Sequence, residues 1–279
     1  MKDISDKRVN ISLDNPSITF DKNKCDECSI CKNICKFNIG VYGFSNDDYP
    51  CINCGSCTLV CPNKCLSEKD ETDLLDKYLN SNKIIVMQTA PAVRVSLGEE
   101  FNMKPGANVE GKMITALKMI GADYVFDTTF GADLTVMEEA NELVNRIKSN
   151  QNLPMFTSCC PSWVKFCEMF YPEYLDNLST CKSPISMMGS VINNYFCKIN
   201  NLKREDIISI VIVPCTSKKM EILRYNDIEL AITTRELAKY LKKEKINLAK
   251  LKNSSYNSLL GKGSSGGIIF GTSGGVMEA

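Results

Sequence analysis

Fifteen cysteines and no histidine bound the chemistry open to this 279-residue chain. Without imidazole, any metal is held mainly by thiolate, and soft thiolate selects iron–sulfur clusters, zinc or copper(I). Proton transfer falls to Cys, Asp, Glu, Lys or water. Two cysteine runs share one spacing: Cys25-x2-Cys28-x2-Cys31-x3-Cys35 and Cys51-x2-Cys54-x2-Cys57-x3-Cys61, the second followed by Pro62. A zinc ribbon needs pairs of Cys-x2-Cys, whereas each run here is a triplet with a trailing cysteine. The repetition reads as two half-modules folded against each other. A different pattern stands at Thr157-Ser158-Cys159-Cys160-Pro161-Ser162-Trp163, where two cysteines are adjacent. Neighbours of this kind cannot easily share one ion, so one can ligate a cluster while the other stands beside it. A buried pair packing as small hydrophobes fits the heptapeptide equally well.

The elements that position these residues follow from periodicity. Ser17–Phe20 reads as a short strand leading into Cys25. Glu68–Asp76 is polar and then helical through Leu74, Leu75, Tyr78 and Leu79, which sets a domain boundary at 76/77. Lys83–Gln88 is β-branched and almost continuously apolar, as a buried parallel strand would be. Asp123–Phe126, Met155–Ser158, Ile207–Val213 and Glu229–Ile232 read as further strands. Helices are expected over Gly111–Ile120, from Asp133 as cap to about Lys148, from Pro161 through Phe170, and after the capping box Thr233-x2-Glu236. Strands alternating with helices give an α/β domain with a mostly parallel sheet over residues 77–279. Chemistry in such sheets gathers at the carboxyl ends of strands, where Cys159, Cys160 and Cys215 fall. Glu139, Glu142 and Arg146 share one helix face, and Leu134, Met137, Ala140, Val144 and Ile147 share another that is available for burial. Read alone, the charged stripe is a solvated surface.

Composition excludes several classes. The formal net charge is zero, which leaves no electrostatic case for nucleic acid or an anionic membrane. The longest apolar runs are too short to span a bilayer, and Met1–Lys7 carries no apolar segment, so a cytoplasmic protein is expected. In that reducing compartment so many cysteines point to metal ligation or catalysis. The glycine-rich stretch Gly261–Gly275 lacks a P-loop, because Gly263 follows Lys262 where Ser or Thr is needed, and reads as tight turns and close backbone approach. Ser273 reads as the cap of a final helix beginning at Gly274.

The doubled spacing resembles bacterial two-cluster ferredoxins. That resemblance implies a 4Fe–4S cluster on Cys25, Cys28, Cys31 and Cys61, and a second on Cys51, Cys54, Cys57 and Cys35, within an N-terminal module of residues 1–76. Lys36 departs from the proline usual after the fourth cysteine. Thr157–Trp163, Val213–Glu221 and Phe270–Ala279, extended by Thr89–Gly98, Phe130–Glu142 and Ile232–Leu241, resemble iron-only (FeFe) hydrogenases over nearly the whole chain. By that resemblance the enzyme reversibly reduces protons to dihydrogen with electrons from ferredoxin or a similar carrier, and requires hydrogenase maturation proteins. Its site is a 4Fe–4S cluster joined to a two-iron centre. Cys160 and Cys215 are implied as cluster ligands and Cys159 as the first proton donor. Lys218 would meet a cyanide nitrogen, and Ala90, Pro91 and Ala92 would line the two-iron pocket. The relay would run from Cys159 through Glu139, Ser179, Glu142 and Arg146 to solvent. Ser162 departs from the family's frequent glycine, Val213 from a methionine and Ile185 from a glutamine. Cys65, Cys167, Cys181 and Cys197 match no ligand and are expected to pack. The family's last region carries two further cysteines that these 279 residues do not reach, so the resemblance implies that they do not complete the site alone. The competing reading is a non-catalytic relative: a redox sensor, an iron–sulfur assembly component or an electron-transfer protein.

Overall fold

The computed structural model describes residues 4–44, 48–258 and 263–279. Packing divides the chain into two units. One comprises residues 1–69, 160–178 and 215–221, and the other 70–159, 179–214 and 222–279. The division drawn along the sequence at 76/77 therefore differs from the division by compactness. The latter falls at 69/70 and returns two later segments to the first unit.

In the first unit, β1 (Ile18–Phe20) pairs antiparallel with β2 (Leu66–Glu68), and the two cysteine runs lie between them in sequence. Among the described residues the buried apolar cluster around this pair is small: Val9, Ile11, Ile18, Leu66 and the thiols of Cys31, Cys57 and Cys65, with Phe20 and Tyr42 partly buried against it. So small a core supplies little folding energy, and bound clusters would have to add to it. The two later segments are fastened to the second cysteine run. The Ser162 hydroxyl donates to Ile52 O at 2.9 Å, and the Thr216 hydroxyl to Asn53 O at 2.9 Å. The Asn53 amide reaches Met220 Sδ at 2.9 Å, and Lys219 Nζ donates to Lys69 O at 2.6 Å.

The second unit is a parallel sheet of β3 (Ile84–Thr89), β4 (Tyr124–Asp127), β5 (Ile207–Val213) and β6 (Leu230–Thr233), in the order β4-β3-β5-β6. Every residue of β5 is buried, as expected for a β-branched strand covered on both faces. Its six aliphatic side chains each contribute roughly 2 kcal/mol of gross burial. Ile208, Ile210 and Ile212 pack with the helices Glu110–Met119 and Thr234–Lys243 through Met113, Leu117, Leu237 and Leu241. On the opposite face Val86 and Phe126 meet Met188 and Ile192, while Val211 and Val213 meet Ile185. The capping box forms as read: Glu236 N donates to Thr233 Oγ1 at 3.2 Å, and Thr233 N to Glu236 Oε2 at 2.8 Å.

Four local expectations change. Met155–Ser158 is not a strand. Phe156 makes a single bridge, and its carbonyl accepts from Ser179 N at 2.7 Å, while the Ser158 hydroxyl donates to Cys181 O at 2.8 Å. The segment thus pairs with a loop and stays outside the sheet. The long helix spans Thr129–Ser149, so Asp133 lies inside it. Its carboxylate instead accepts from Ser264 Oγ at 2.6 Å and Gly267 N at 2.6 Å, and so caps a neighbour, the helix Ser265–Phe270. A Cβ on Gly267 would stand 2.3 Å from Thr129 O, so this docking needs the missing side chain. Gly274, with φ 79°, is followed by a short 3-10 turn, Gly275–Met277, and Ser273 caps nothing there. Gly261 and Lys262 lie outside the described residues. The largest change is on the long helix itself. Glu139 and Arg146 are buried, whereas Met137, Val144 and Ile147 are exposed by 69%, 46% and 58%. The charged stripe faces inward and the apolar stripe outward.

Candidate functional site

In the first unit, Cys25, Cys28, Cys31 and Cys61 surround one cavity, together with Cys65, Arg8 and Pro62. Cys35, Cys51, Cys54 and Cys57 surround another, together with Ile52 and Ser56. Each helical turn that presents a triplet is entered by a left-handed residue, Ser29 at φ 68° and Gly55 at φ 78°. Gly55 is required on a second count, because a Cβ there would stand 2.6 Å from Thr216 Oγ1. Burial pushes the thiols of Cys31, Cys51 and Cys57 up, and that of Cys35 up to about 12. Cys65 is likewise pushed up to about 12, by burial and then by the Cys61 sulfur 3.1 Å away. Burial also acts to raise Cys61, but hydrogen bonds from the Leu66 backbone, the Cys65 thiol and the Cys65 and Asn63 backbones together lower it. Unaided, most of these thiols resist ionisation, and iron is the counter-charge that would favour their thiolates. No three Cys, Asp or Glu side chains among the described residues converge as ligands of a single ion. A four-iron cube differs in that each thiolate meets its own iron. Donors for cluster sulfur are in place at Cys51, whose Sγ lies 3.4 Å from Asn53 N and 3.5 Å from Asn15 Nδ2. The donor set and its surroundings fit two clusters.

The same unit holds Cys160, Cys215 and Lys218. Cys160 is the exposed N-cap of the helix Pro161–Phe170, with Pro161 in the first turn. Cys215 follows β5 and Pro214, and its sulfur lies 2.9 Å from Ser217 Oγ. Lys218 opens the helix Lys218–Tyr225 and is paired with Glu221 at 2.6 Å, both side chains largely buried.

The second unit holds the acid–base residues. Glu142 is the hub. One carboxylate oxygen accepts from Arg146 Nη2 at 2.6 Å and Nε at 3.1 Å, and the other from the Ser179 hydroxyl at 2.9 Å. Thr180 N donates to both, at 3.0 and 3.2 Å. The Cys181 thiol lies 3.9 Å from Glu142 Oε2. Arg146 is anchored further by Asn152 O at 3.0 Å. Burial alone would raise the Glu142 carboxyl, but Ser179, Arg146 and Thr180 together lower it. Glu139, one turn earlier, is raised by burial, against the lesser pull of Ser179 and the Ser158 backbone N–H, and its Oε1 finds no hydrogen-bond partner among the described residues. Two carboxyls linked through Ser179 and shifted in opposite directions are what a proton donor and acceptor require. An open pocket at Glu138, Glu142, Arg146, Asn152 and Cys181 leads from this network to solvent. Ala90, Pro91 and Ala92 form the turn after β3, with Ala90 N bonded to Ile212 O at 2.9 Å. A Cβ on Gly271 would meet Pro91 Cγ at 2.7 Å.

A family model described as the iron only hydrogenase large subunit, C-terminal domain, matches residues 83–279. The chain belongs to the iron-only hydrogenase family. It is 43% identical to iron hydrogenase 1 of Clostridium pasteurianum over 98% of its own length and 52% of that protein's. It is 29% identical to cytosolic iron-sulfur assembly component 3 of Bos taurus over 75% of its length and 48% of that protein's. A solved structure of apo FeFe-hydrogenase HydA1 from Chlamydomonas reinhardtii resembles it with a TM-score of 0.68 at 36% identity, over 76% of this chain and 57% of that one. The chain thus spans about half the length of the curated hydrogenase relative and of the bovine protein.

For this hydrogenase-family chain, sequence reasoning missed Asn15, Asn53, Thr180, Asn152 and Ser217. Each acts through a short polar contact that no periodicity announces. Cys167 and Cys197 are buried, as packing residues should be, whereas Cys181 is half-buried beside Glu142.

The arrangement of the thiols yields a test. Cys35→Ser should cost about four of eight irons after anaerobic reconstitution, as should Cys51→Ser, because each would empty the same four-iron site. The double variant should lose no more than either. A loss of about eight would mean that the runs do not cross.

A second test concerns Glu139. Its folded carboxyl binds a proton more tightly than the unfolded one, so its contribution to stability is complete below the unfolded value and is lost as pH rises through the folded value. Glu139→Gln cannot ionise. Relative to the native protein it should gain thermal stability as pH rises, and if Glu139 relays protons as the family resemblance implies, turnover should drop about 100-fold. Melting curves compared across acid and alkaline buffers check the first expectation. A variant that tracks the native protein at every pH would show that burial does not shift the Glu139 carboxyl.

Proposed function

We propose that this chain is an iron–sulfur oxidoreductase of the FeFe-hydrogenase type, reducing two protons with two electrons to dihydrogen, reversibly. The observation that carries this reading is the inward-facing series Glu139, Ser179, Glu142 and Arg146, with its two carboxyls shifted in opposite directions. A protein that only stores or passes electrons has no use for a buried acid–base chain. Residues 1–76 act as a two-cluster ferredoxin-like module, with Cys25, Cys28, Cys31 and Cys61 holding one 4Fe–4S cluster and Cys51, Cys54, Cys57 and Cys35 the other. Electrons enter from ferredoxin or a similar carrier. Cys160 and Cys215 would ligate the active-site cluster. The two-iron centre, when bound, supplies the metal sites at which protons and electrons combine. Cys159 holds the proton to be delivered, and Glu139 reloads it. The Ser179 hydroxyl takes a proton from one neighbour as it gives one to another, and Glu142 with Arg146 exchanges with solvent. Lys218 provides a cation for an anionic ligand, and Ala90, Pro91 and Ala92 present small or apolar surfaces. Hydrogenase maturation proteins are the expected partners, and the cytoplasm the expected compartment. Among the described residues no helix is long and apolar enough to cross a membrane.

The similarity to the bovine assembly component supports a second reading, in which clusters are carried without hydrogen chemistry. Hydrogen evolution from reduced methyl viologen separates the two. It should be measured after anaerobic co-expression with maturation proteins, for the chain itself and for a fusion to the part of the clostridial relative that it does not span. Full cluster loading without hydrogen evolution in either would select the second reading.

A further inference from the structure

Ser162 touches the second cysteine run at one peptide group, and that peptide has a sulfur on its other side. The Ser162 hydroxyl donates to Ile52 O at 2.9 Å. The N–H of the same peptide, that of Asn53, points at Cys51 Sγ at 3.4 Å. The chain hydroxyl → carbonyl → N–H → sulfur lies within one unit and is shielded from water: Ser162 is 7% exposed, Ile52 8% and Asn53 0%. The Asn53 side chain is itself held by Asn15 Nδ2 at 2.8 Å and by its contact with Met220 Sδ, so the peptide is fixed from both sides. Hydrogen bonds in series polarise one another, most strongly where the local dielectric is low. A hydroxyl on the carbonyl therefore makes Asn53 N–H a better donor.

We propose that Ser162 is a positioning residue that raises the reduction potential of the cluster held by Cys51, Cys54, Cys57 and Cys35, by polarising the Ile52–Asn53 peptide against the Cys51 sulfur. The proposal rests on the reading above that these four cysteines hold a 4Fe–4S cluster. A reduced cluster carries one more negative charge than an oxidised one, so a stronger N–H donor on its sulfur favours reduction. Ser162 lies two residues beyond Cys160, at the start of the helix which that cysteine caps. The cysteine segment proposed for the active-site cluster thus sets the potential of the cluster that would feed it. Glycine, frequent at this position in the family, has no hydroxyl to make the contact.

A neighbouring contact supplies the control. Thr216 also donates to this loop, to Asn53 O at 2.9 Å, but the N–H of that peptide belongs to Cys54 and makes no hydrogen bond to sulfur among the described residues. Thr216→Val removes an equivalent tie without touching the sulfur chain. The experiment is an anaerobic redox titration of the reconstituted full chain, followed by the electron paramagnetic resonance of its reduced clusters. Cys25→Ser, combined with each variant, removes the signal of the first-run cluster. Ser162→Ala and Ser162→Gly should lower the reduced-to-oxidised ratio of the second-run cluster about threefold at fixed poise, roughly 30 mV more negative at about 59 mV per decade for one electron. Thr216→Val should leave it in place. Equal potentials in the native chain and both Ser162 variants would overturn the proposal. So would an equal shift in Thr216→Val, which would reveal a purely structural tie. Absence of any second-run cluster in the native chain would instead refute the cluster reading, and iron and sulfide analysis reports that separately.

Discussion

Cys159→Ala should keep the full complement of iron and lose hydrogen evolution by two to four orders of magnitude, the range that a positioned proton donor supplies. The assay is that of the fusion described above. The two adjacent cysteines are anchored differently. Cys160 caps the helix Pro161–Phe170, where unpaired backbone N–H groups favour an anionic ligand. Cys159 ends the extended segment on the other side. That segment is fixed by Ser179 N on Phe156 O and by the Ser158 hydroxyl on Cys181 O, and the Ser158 backbone pulls the Glu139 carboxyl down against burial. Cys159 is therefore tied in sequence to the acid–base chain and Cys160 to the helix end. A Cys159→Ala protein that evolves hydrogen at the native rate would remove the thiol from the relay. One that loses four irons would show that the two roles are exchanged.

Much of this was legible before any coordinates, for identifiable reasons. The grouping of the cysteines followed their repeated spacing: Cys61 joins Cys25, Cys28 and Cys31 at one cavity, and Cys35 joins Cys51, Cys54 and Cys57 at the other. The parallel sheet could be read because β5 is apolar at nearly every position, a pattern that only a strand covered on both faces needs. The orientation of the Thr129–Ser149 helix could not. An amphipathic pattern predicts that Met137, Val144 and Ile147 turn inward, since burying them is favourable and burying Glu139 and Arg146 is costly. The structure resolves the cost locally: Arg146, Ser179 and Thr180 satisfy Glu142, while Glu139 shifts toward its neutral form. A rule that counts hydrophobic residues has no means of seeing partners 37 residues away in sequence. Asp133 shows the same limit. Its type and place suggested a cap, and it is one, but for the helix Ser265–Phe270, more than 130 residues further on.

Arg146→Met should destabilise the protein by about 2–3 kcal/mol and flatten its acid unfolding profile. Removing one partner of a buried pair costs about 3–5 kcal/mol, because the other charge is left uncompensated. The lower figure applies here because the pair touches solvent at one edge, with side chains 10% and 16% exposed, and because Ser179 and Thr180 still bond Glu142. Methionine fills the volume of the arginine stem, so little of the loss comes from a cavity. The pH dependence follows from Glu142. Its folded carboxyl lies below its unfolded value, so it contributes stability that is complete above the unfolded value and lost as pH falls through the folded one. Without the guanidinium that depression shrinks, and the part of the acid destabilisation due to Glu142 shrinks with it. Urea unfolding of native protein and Arg146→Met at a series of pH values from neutral to acid measures both effects. The gap between the two should narrow as pH falls. A gap that is small at neutral pH, or constant across the series, would mean that Arg146 is held by the fold and Glu142 does not depend on it. The inward stripe would then have lost its acid–base logic, and the hydrogenase reading its principal physical support.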